Sequence, residues 1–138
     1  MIEITIQGTP IAQRRPRFTS RGGKKRAYNS QREEAERWVM EARTQLPKGF
    51  RPIEGPVALQ IRFLMPIPAS TTAKRRHSMR VGICPYHEKK PDLDNLEKWV
   101  MDCLTLAGVW VDDKQVASKI TFKRYSEQPQ TIIRVEAL

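Results

Sequence analysis

Pro91-Asp92-Leu93-Asp94-Asn95-Leu96-Glu97-Lys98-Trp99-Val100-Met101-Asp102-Cys103-Leu104-Thr105-Leu106-Ala107-Gly108 is the stretch that decides the fold. Leu93, Leu96, Val100, Cys103, Leu104 and Ala107 recur at steps of three and four, the period of a helix with one buried face. Gly108 is placed to end that helix, because glycine accepts the left-handed backbone of a C-terminal cap. Asp94, Lys98, Asp102 and Thr105 fall on another face. One side of the helix therefore belongs to a core and another carries charge. Val109-Trp110-Val111 then reads as a short extended piece leading to Asp112-Asp113.

Outward from this helix, the strands show themselves by alternation. Residues 2–7 alternate apolar and polar side chains, which reads as a strand. Residues 57–65 do the same, with Val57, Leu59, Ile61 and Phe63 on one face and Pro66 and Pro68 as a stop. Residues 117–124 and 131–136 read as two more strands joined by a turn at 127–130. A second helix is expected over 31–45, where Ala35, Trp38, Val39, Ala42 and Leu46 form an apolar stripe. Ser30 is its expected cap, with Glu33 closing a capping box. Residues 69–88 carry Lys74-Arg75-Arg76 but no clear period, and read as a long basic loop. The fold class expected is α/β, a mixed β-sheet packed with two main helices, in one domain spanning residues 1–138.

Composition narrows the function. The chain has 138 residues, 39% apolar and 29% charged, which fits a soluble globular protein with a real core. No apolar run approaches a membrane span and MIEITIQG is not a signal peptide, so a cytoplasmic protein with no membrane partner is expected. The net charge is +10. Its distribution matters more than its size. No acidic residue lies between Glu3 and Glu33, where eight Arg or Lys occur. None lies between Glu54 and Glu88, which enclose Arg62, Lys74, Arg75, Arg76 and Arg80. Solvated faces normally mix signs; unmixed positive stretches fit a nucleic acid. The run from Gln13 to Arg26 holds seven cations in fourteen residues, with Pro16 and Gly22-Gly23 against regular structure. It reads as a flexible basic loop in which Arg14, Arg15, Arg17, Lys24 and Lys25 meet phosphates, with Phe18 and Tyr28 at its ends either stacking on bases or packing on the core. Lys74, Arg75, Arg76, Lys89 and Lys90 are the other expected DNA contacts. The two cysteines, Cys84 and Cys103, form no disulfide framework. Cys84, His87 and His77 have metal-like spacing but too few ligands for a structural zinc.

All five aspartates lie between Asp92 and Asp113. Carboxylate oxygens are hard ligands suited to Mg²⁺ or Mn²⁺. Asp92 and Asp94 are two apart, so an extended backbone would aim both to one side; equally, either would serve as a helix cap. A helix with a return of suitable length would bring Asp113 back to join them. Three converging carboxylates require a cation among them. Lys98, one turn past Asp94, would either pair with that carboxylate or reach a phosphate. Asp-x-Asp alone is a weak signal. Placed at a helix start, with Asp112-Asp113 downstream in so basic a chain, it points to a divalent-metal site that acts on a polyanion.

At these residues the sequence resembles the RusA family of Holliday junction resolvases, endonucleases of phage and prophage origin. The matching string is Pro91-Asp92-Leu93-Asp94-Asn95-Leu96-Glu97-Lys98, then Asp102, Leu104, Ala107-Gly108, Trp110 and Asp112-Asp113-Lys114-Gln115-Val116. Gly8-Thr9-Pro10 and Arg14-Arg15-Pro16-Arg17 are similar to the phage branch. The resemblance implies a homodimer in the bacterial cytoplasm, of prophage or infecting phage, that binds four-way DNA junctions in recombination and repair. It implies paired symmetric strand cuts with Mg²⁺ or Mn²⁺. It assigns the essential carboxylates to Asp92, Asp94 and Asp113, as metal ligands, and the essential lysine to Lys98. Two other expectations stand beside it: a nuclease of broader structure preference acting on flaps and forks, and a non-catalytic junction-binding protein. Retention of all three aspartates and Lys98 weighs against the latter.

Overall fold

The computed structural model describes residues 1–14, 17–19, 26–28, 31–81 and 84–138. The elements in chain order are β1 (Ile2–Gln7), β2 (Arg17–Thr19), β3 (Arg26–Tyr28), α1 (Arg32–Thr44), β4 (Val57–Pro66), α2 (Ala73–Val81), α3 (Leu93–Ala107), β5 (Val116–Ser126) and β6 (Gln130–Ala137). A 3₁₀ turn over Asp113–Gln115 leads into β5. The main sheet has four strands in the order β1-β6-β4-β5. β6 runs antiparallel to both β1 and β4, whereas β4 and β5 are parallel. The expected mixed α/β architecture is therefore present.

The alternation read from the sequence sets which face is buried. Val57, Leu59, Ile61, Phe63 and Met65 of β4 are all buried. They share one core with Ile4 and Ile6 of β1 and Ile133 and Val135 of β6. Trp38, Val39 and Ala42 of α1, and Leu96, Trp99, Val100, Cys103 and Leu104 of α3, close that core. Both long helices thus lie on the same face of the sheet. Parallel strands cannot be joined by a hairpin, so a crossover is required between β4 and β5. α3 is the main part of that crossover, which is why the acidic motif sits on a helix laid along the sheet.

Three expectations are corrected. Residues 73–81, expected to be loop, form α2. Met79 is the only buried residue of this helix, so it has no apolar stripe to give a periodic signal. Two short antiparallel strands, β2 and β3, pair within the expected flexible basic loop, with Arg17 opposite Tyr28 and Phe18 opposite Ala27. Helix α1 takes Gln31 as its N-cap, and no side chain caps it; Ser30, the expected cap, lies outside the described residues.

Candidate active site

Asp92 is the N-cap of α3, with φ −68° and ψ 145°. Its backbone turns the chain into the helix, yet its carboxylate makes no capping hydrogen bond. The side chain is exposed and free for another partner, at the end of the helix where the backbone dipole is positive. Asp94, also exposed, accepts the Asn95 N–H at 3.0 Å. The turn before Asp92 is braced from β5. Lys123 Nζ donates to the Lys89 carbonyl at 2.5 Å and to the Pro91 carbonyl at 2.7 Å. The Lys90–Pro91 peptide is cis.

The basic N-terminal segment is fixed against the same turn. The Gln13 N–H donates to the Asn95 carbonyl at 2.9 Å. Gln31, only 3% exposed, holds the segment from its other side. Its Oε1 accepts the Arg14 N–H at 2.8 Å, and its Nε2 donates to the Ala12 carbonyl at 2.9 Å. As a result Arg14, Lys90 and Asp92 line one open groove of about 560 Å³, together with Gln13, Pro91 and Asn95. A residue expected to meet phosphate and a residue expected to hold metal come from opposite parts of the chain into one groove.

The other half of the acidic motif lies further along α3. Lys98 pairs with Asp102, Nζ to Oδ1 at 3.1 Å, and not with Asp94. The hydrogen bond and charge of Asp102, reinforced by the charge of Asp113, push the Lys98 pKa above its ordinary value. Asp102, Thr105, Leu106, Asp112 and Asp113 line a second hollow of about 410 Å³. Asp112 has an identifiable structural task. Its carboxylate accepts the Lys114 N–H at 2.9 Å, and Gln115 returns the bond to the Asp112 N–H at 3.0 Å, closing a capping box. That backbone hydrogen bond, the leading cause, holds the Asp112 carboxyl below the usual carboxylate range. Gln115 Nε2 also donates to the Ile53 and Gly55 carbonyls at 2.7 and 2.8 Å. Asp112 and Gln115 together build the turn that presents Asp113.

Asp113 stands beside α3, in the hollow with Asp102 and Thr105, and close enough to Lys98 for its charge to act there. Trp110 is locked by its bridge to Ile53 and by its Nε1–H bond to Thr105 Oγ1 at 2.7 Å. Among the described residues no three His, Cys, Asp or Glu side chains converge as a metal-ligand group. Mg²⁺ does not demand such a cage, because it is commonly held by one or two carboxylates with waters and substrate phosphates. Exposed Asp92 and Asp94 fit that role.

Of the other expected DNA contacts, Lys74 and Arg75 are exposed on α2. Arg76 donates to the Pro68 carbonyl at 3.1 Å. Arg17 opens β2, and Arg15, Lys24 and Lys25 lie outside the described residues. Cys84 donates its S–H to the Met79 carbonyl and His87 packs on Tyr125. Burial pushes the Cys103 thiol up to about 12.

A comparison with known families decides the relationship. The family model described as Endodeoxyribonuclease RusA matches residues 7–136. The chain belongs to the RusA family. The match begins at the last residue of β1 and runs through β6 as far as residue 136, so the family extends over the groove residues as well as the acidic helix. The RusA family is one of Holliday junction resolvases, and this places the chain among endodeoxyribonucleases. An "Uncharacterized protein YqaN" of Bacillus subtilis (strain 168) is 30% identical over 139 residues, covering 97% of this chain and 94% of that protein. Sequence reasoning overlooked Lys123, Gln31 and Gln115 in this RusA-family site. Lys123 and Gln31 leave no signal in local pattern, since each acts on a backbone remote in sequence; Gln115, three residues after Asp112, has the spacing of a capping box.

Proposed function

We propose that this RusA-family chain is a divalent-metal-dependent endodeoxyribonuclease that resolves four-way DNA junctions by paired symmetric cuts, in recombination and repair. The observation that carries the reading is the groove in which Arg14 and Lys90 flank the uncapped carboxylate of Asp92. Two cations there would hold the phosphodiester backbone, and the carboxylate would hold the ion beside it. Mg²⁺, or Mn²⁺ in its place, would supply charge neutralisation at the phosphate and a water of lowered pKa. Asp92 and Asp94 are the proposed ligands at the helix start, with Asp113 contributing from the turn ahead of β5. Lys98 stays protonated under the influence of Asp102 and Asp113 and supplies positive charge for a phosphate on the outer face of α3. Lys89, Lys74 and Arg75 would extend the phosphate track.

Two matched cuts on opposed strands need two sites. A two-fold homodimer supplies them about the near two-fold axis of a junction, and isologous pairs are the commonest oligomer. The setting that fits is the bacterial cytoplasm, from a prophage or an infecting phage. Among the described residues no helix is long and apolar enough to cross a membrane.

The test is a cleavage assay on a four-way junction, a fork, a flap, duplex and single strand, with Mg²⁺, Mn²⁺ or EDTA. Junction-selective, EDTA-sensitive, paired cutting is expected. Equal cutting of forks and flaps would replace the resolvase reading with a broader nuclease. Binding without cutting under either metal would leave only a junction-binding protein.

A further inference from the structure

The long helices cover one face of the sheet, and the opposite face carries an unusual edge. Alternate residues there include exposed Gln60 and Arg62 of β4 and Ile120 of β5, 60% exposed. Arg62 stands beside Phe122 of β5 in the strand register and makes no hydrogen bond or ion pair among the described residues. At the sheet edge Tyr86 pairs with Arg124 in an isolated antiparallel bridge. The Arg124 guanidinium lies 3.9 Å from the Tyr86 ring centroid and 5.5 Å from that of Phe122. The two rings meet edge to face at 6.3 Å. Arg124 is fixed in place by its bond to the Cys84 carbonyl at 3.0 Å. Yet Tyr86 is 63% exposed. The guanidinium takes one side of its ring and solvent meets the rest.

Charge identifies the occupant. Among the described residues Arg62 and Arg124 have no carboxylate partner. Glu3, a carboxylate on this face, is held at the far strand by Arg134 at 2.7 Å. A second copy placed here by a two-fold axis would bring a positive edge toward its own like. A nucleic acid brings phosphates to the guanidinium groups and flat bases to the rings. Bases inside a duplex have both π-faces covered by their neighbours, so a ring can receive only an unstacked base. The strand that carries this edge also serves the groove. Lys123, between Phe122 and Arg124, points the other way and holds the carbonyls ahead of Asp92. The aromatic edge and the acidic turn are therefore back to back across β5.

We propose that Tyr86, Phe122, Arg124 and Arg62 form a platform that receives an unstacked base at the branch point, on the face of β5 opposite the acidic turn. This rests on the nuclease reading above, whose own failure shows separately, as an absence of cleavage of any branched DNA by the wild-type chain. The platform is tested by binding, in EDTA so that nothing is cut. The probe is a four-way junction with 2-aminopurine at a branch-point position, compared with a linear duplex of equal length. Tyr86→Leu should weaken junction binding by about 5- to 150-fold, the range for loss of one base–aromatic stack, and abolish the fluorescence change. It should leave duplex binding unchanged. Tyr86→Phe and Tyr86→Trp should retain both signals. Unchanged junction affinity in Tyr86→Leu overturns the proposal. So does an equal loss for duplex, which would mark a general effect on the fold or the phosphate contacts. A shift in oligomeric state by light scattering on Tyr86→Leu also overturns it, because the edge would then be a contact between copies.

Discussion

Replacing Lys123 by Met should loosen the turn that presents Asp92 while keeping the aliphatic stem. The ammonium makes two charge-assisted hydrogen bonds to main-chain carbonyls, at 2.5 and 2.7 Å. Such bonds are worth roughly 1.5–3 kcal/mol each when sheltered. The Lys123 side chain is only half-buried, so solvent competes for both carbonyls once the lysine is gone. A net loss of about 1–2 kcal/mol is expected after that discount. With a urea slope of about 1.5 kcal/mol/M for a small protein, the unfolding midpoint should fall by roughly 1 M. A spectroscopic signature accompanies it. His87 has its pKa lowered first by burial and next by the charge of Lys123. Imidazole NMR titration should therefore find His87 moved up toward its ordinary value in Lys123→Met. Cleavage of a branched substrate should fall with the stability, because Asp92 follows Pro91 directly. A variant with an unchanged urea midpoint and an unmoved His87 would refute the bracing role.

Asp92→Asn should abolish metal-dependent cleavage and preserve junction binding, as read by gel shift and product analysis. Because Asp92 makes no capping bond, the same change should cost at most the helix-dipole contribution, about 0.3–1 kcal/mol, in calorimetry. Arg14→Ala should lower the log–log salt slope of DNA binding by about 0.9, the value for one lost phosphate contact; an unaltered slope would show that the groove does not take phosphate. Cys103 ties stability to alkaline pH. Its folded pKa of about 12 lies above the ordinary 9.0, so the unfolded chain ionises first. Stability should be intact below pH 9 and fall by about 1.4 kcal/mol per pH unit above it, a loss that Cys103→Ala should remove from a pH series of urea melts. Native iodoacetamide labelling should likewise modify half-buried Cys84 and spare buried Cys103, with mass spectrometry as the readout.

Elements that bury a periodic face were legible in the sequence. The stripe of α3, the Gly108 cap and the alternation of β4 each reflect a local period set by one core. Gly108 does adopt the left-handed backbone, with φ 79°. α2 escaped because a helix anchored by Met79 alone has no stripe. Sheet order escaped because alternation tells which face of a strand is buried, not which strand lies beside it. In the site, residue types were readable and their mutual placement was not. Asp113 lies alongside Asp102 and Lys98 because helix length and the Trp110 anchor fix how far the chain returns, and neither is visible in Asp-x-Asp spacing. Arg14 shares a groove with Asp92 because Gln13 bonds the Asn95 carbonyl and the Gln31 side chain holds the backbone of Ala12 and Arg14, hydrogen bonds with no sequence signature.

The pairing of β1 with β6 places Ile2 opposite Val135. The first strand of the sheet is therefore completed by the last, and among the described residues β6 alone joins β1 to the rest. On a ribosome adding about 5–20 residues per second, β1 would wait roughly 6–25 s for its partner. During that interval Ile2, Ile4 and Ile6 belong to an unmatched edge able to pair with a neighbouring nascent chain. Helix formation over α1 and α3 is local and needs no such delay. Synthesis would thus produce the acidic helix long before the sheet that holds it, and the yield of native protein would depend on how well β1 is sheltered in the meantime.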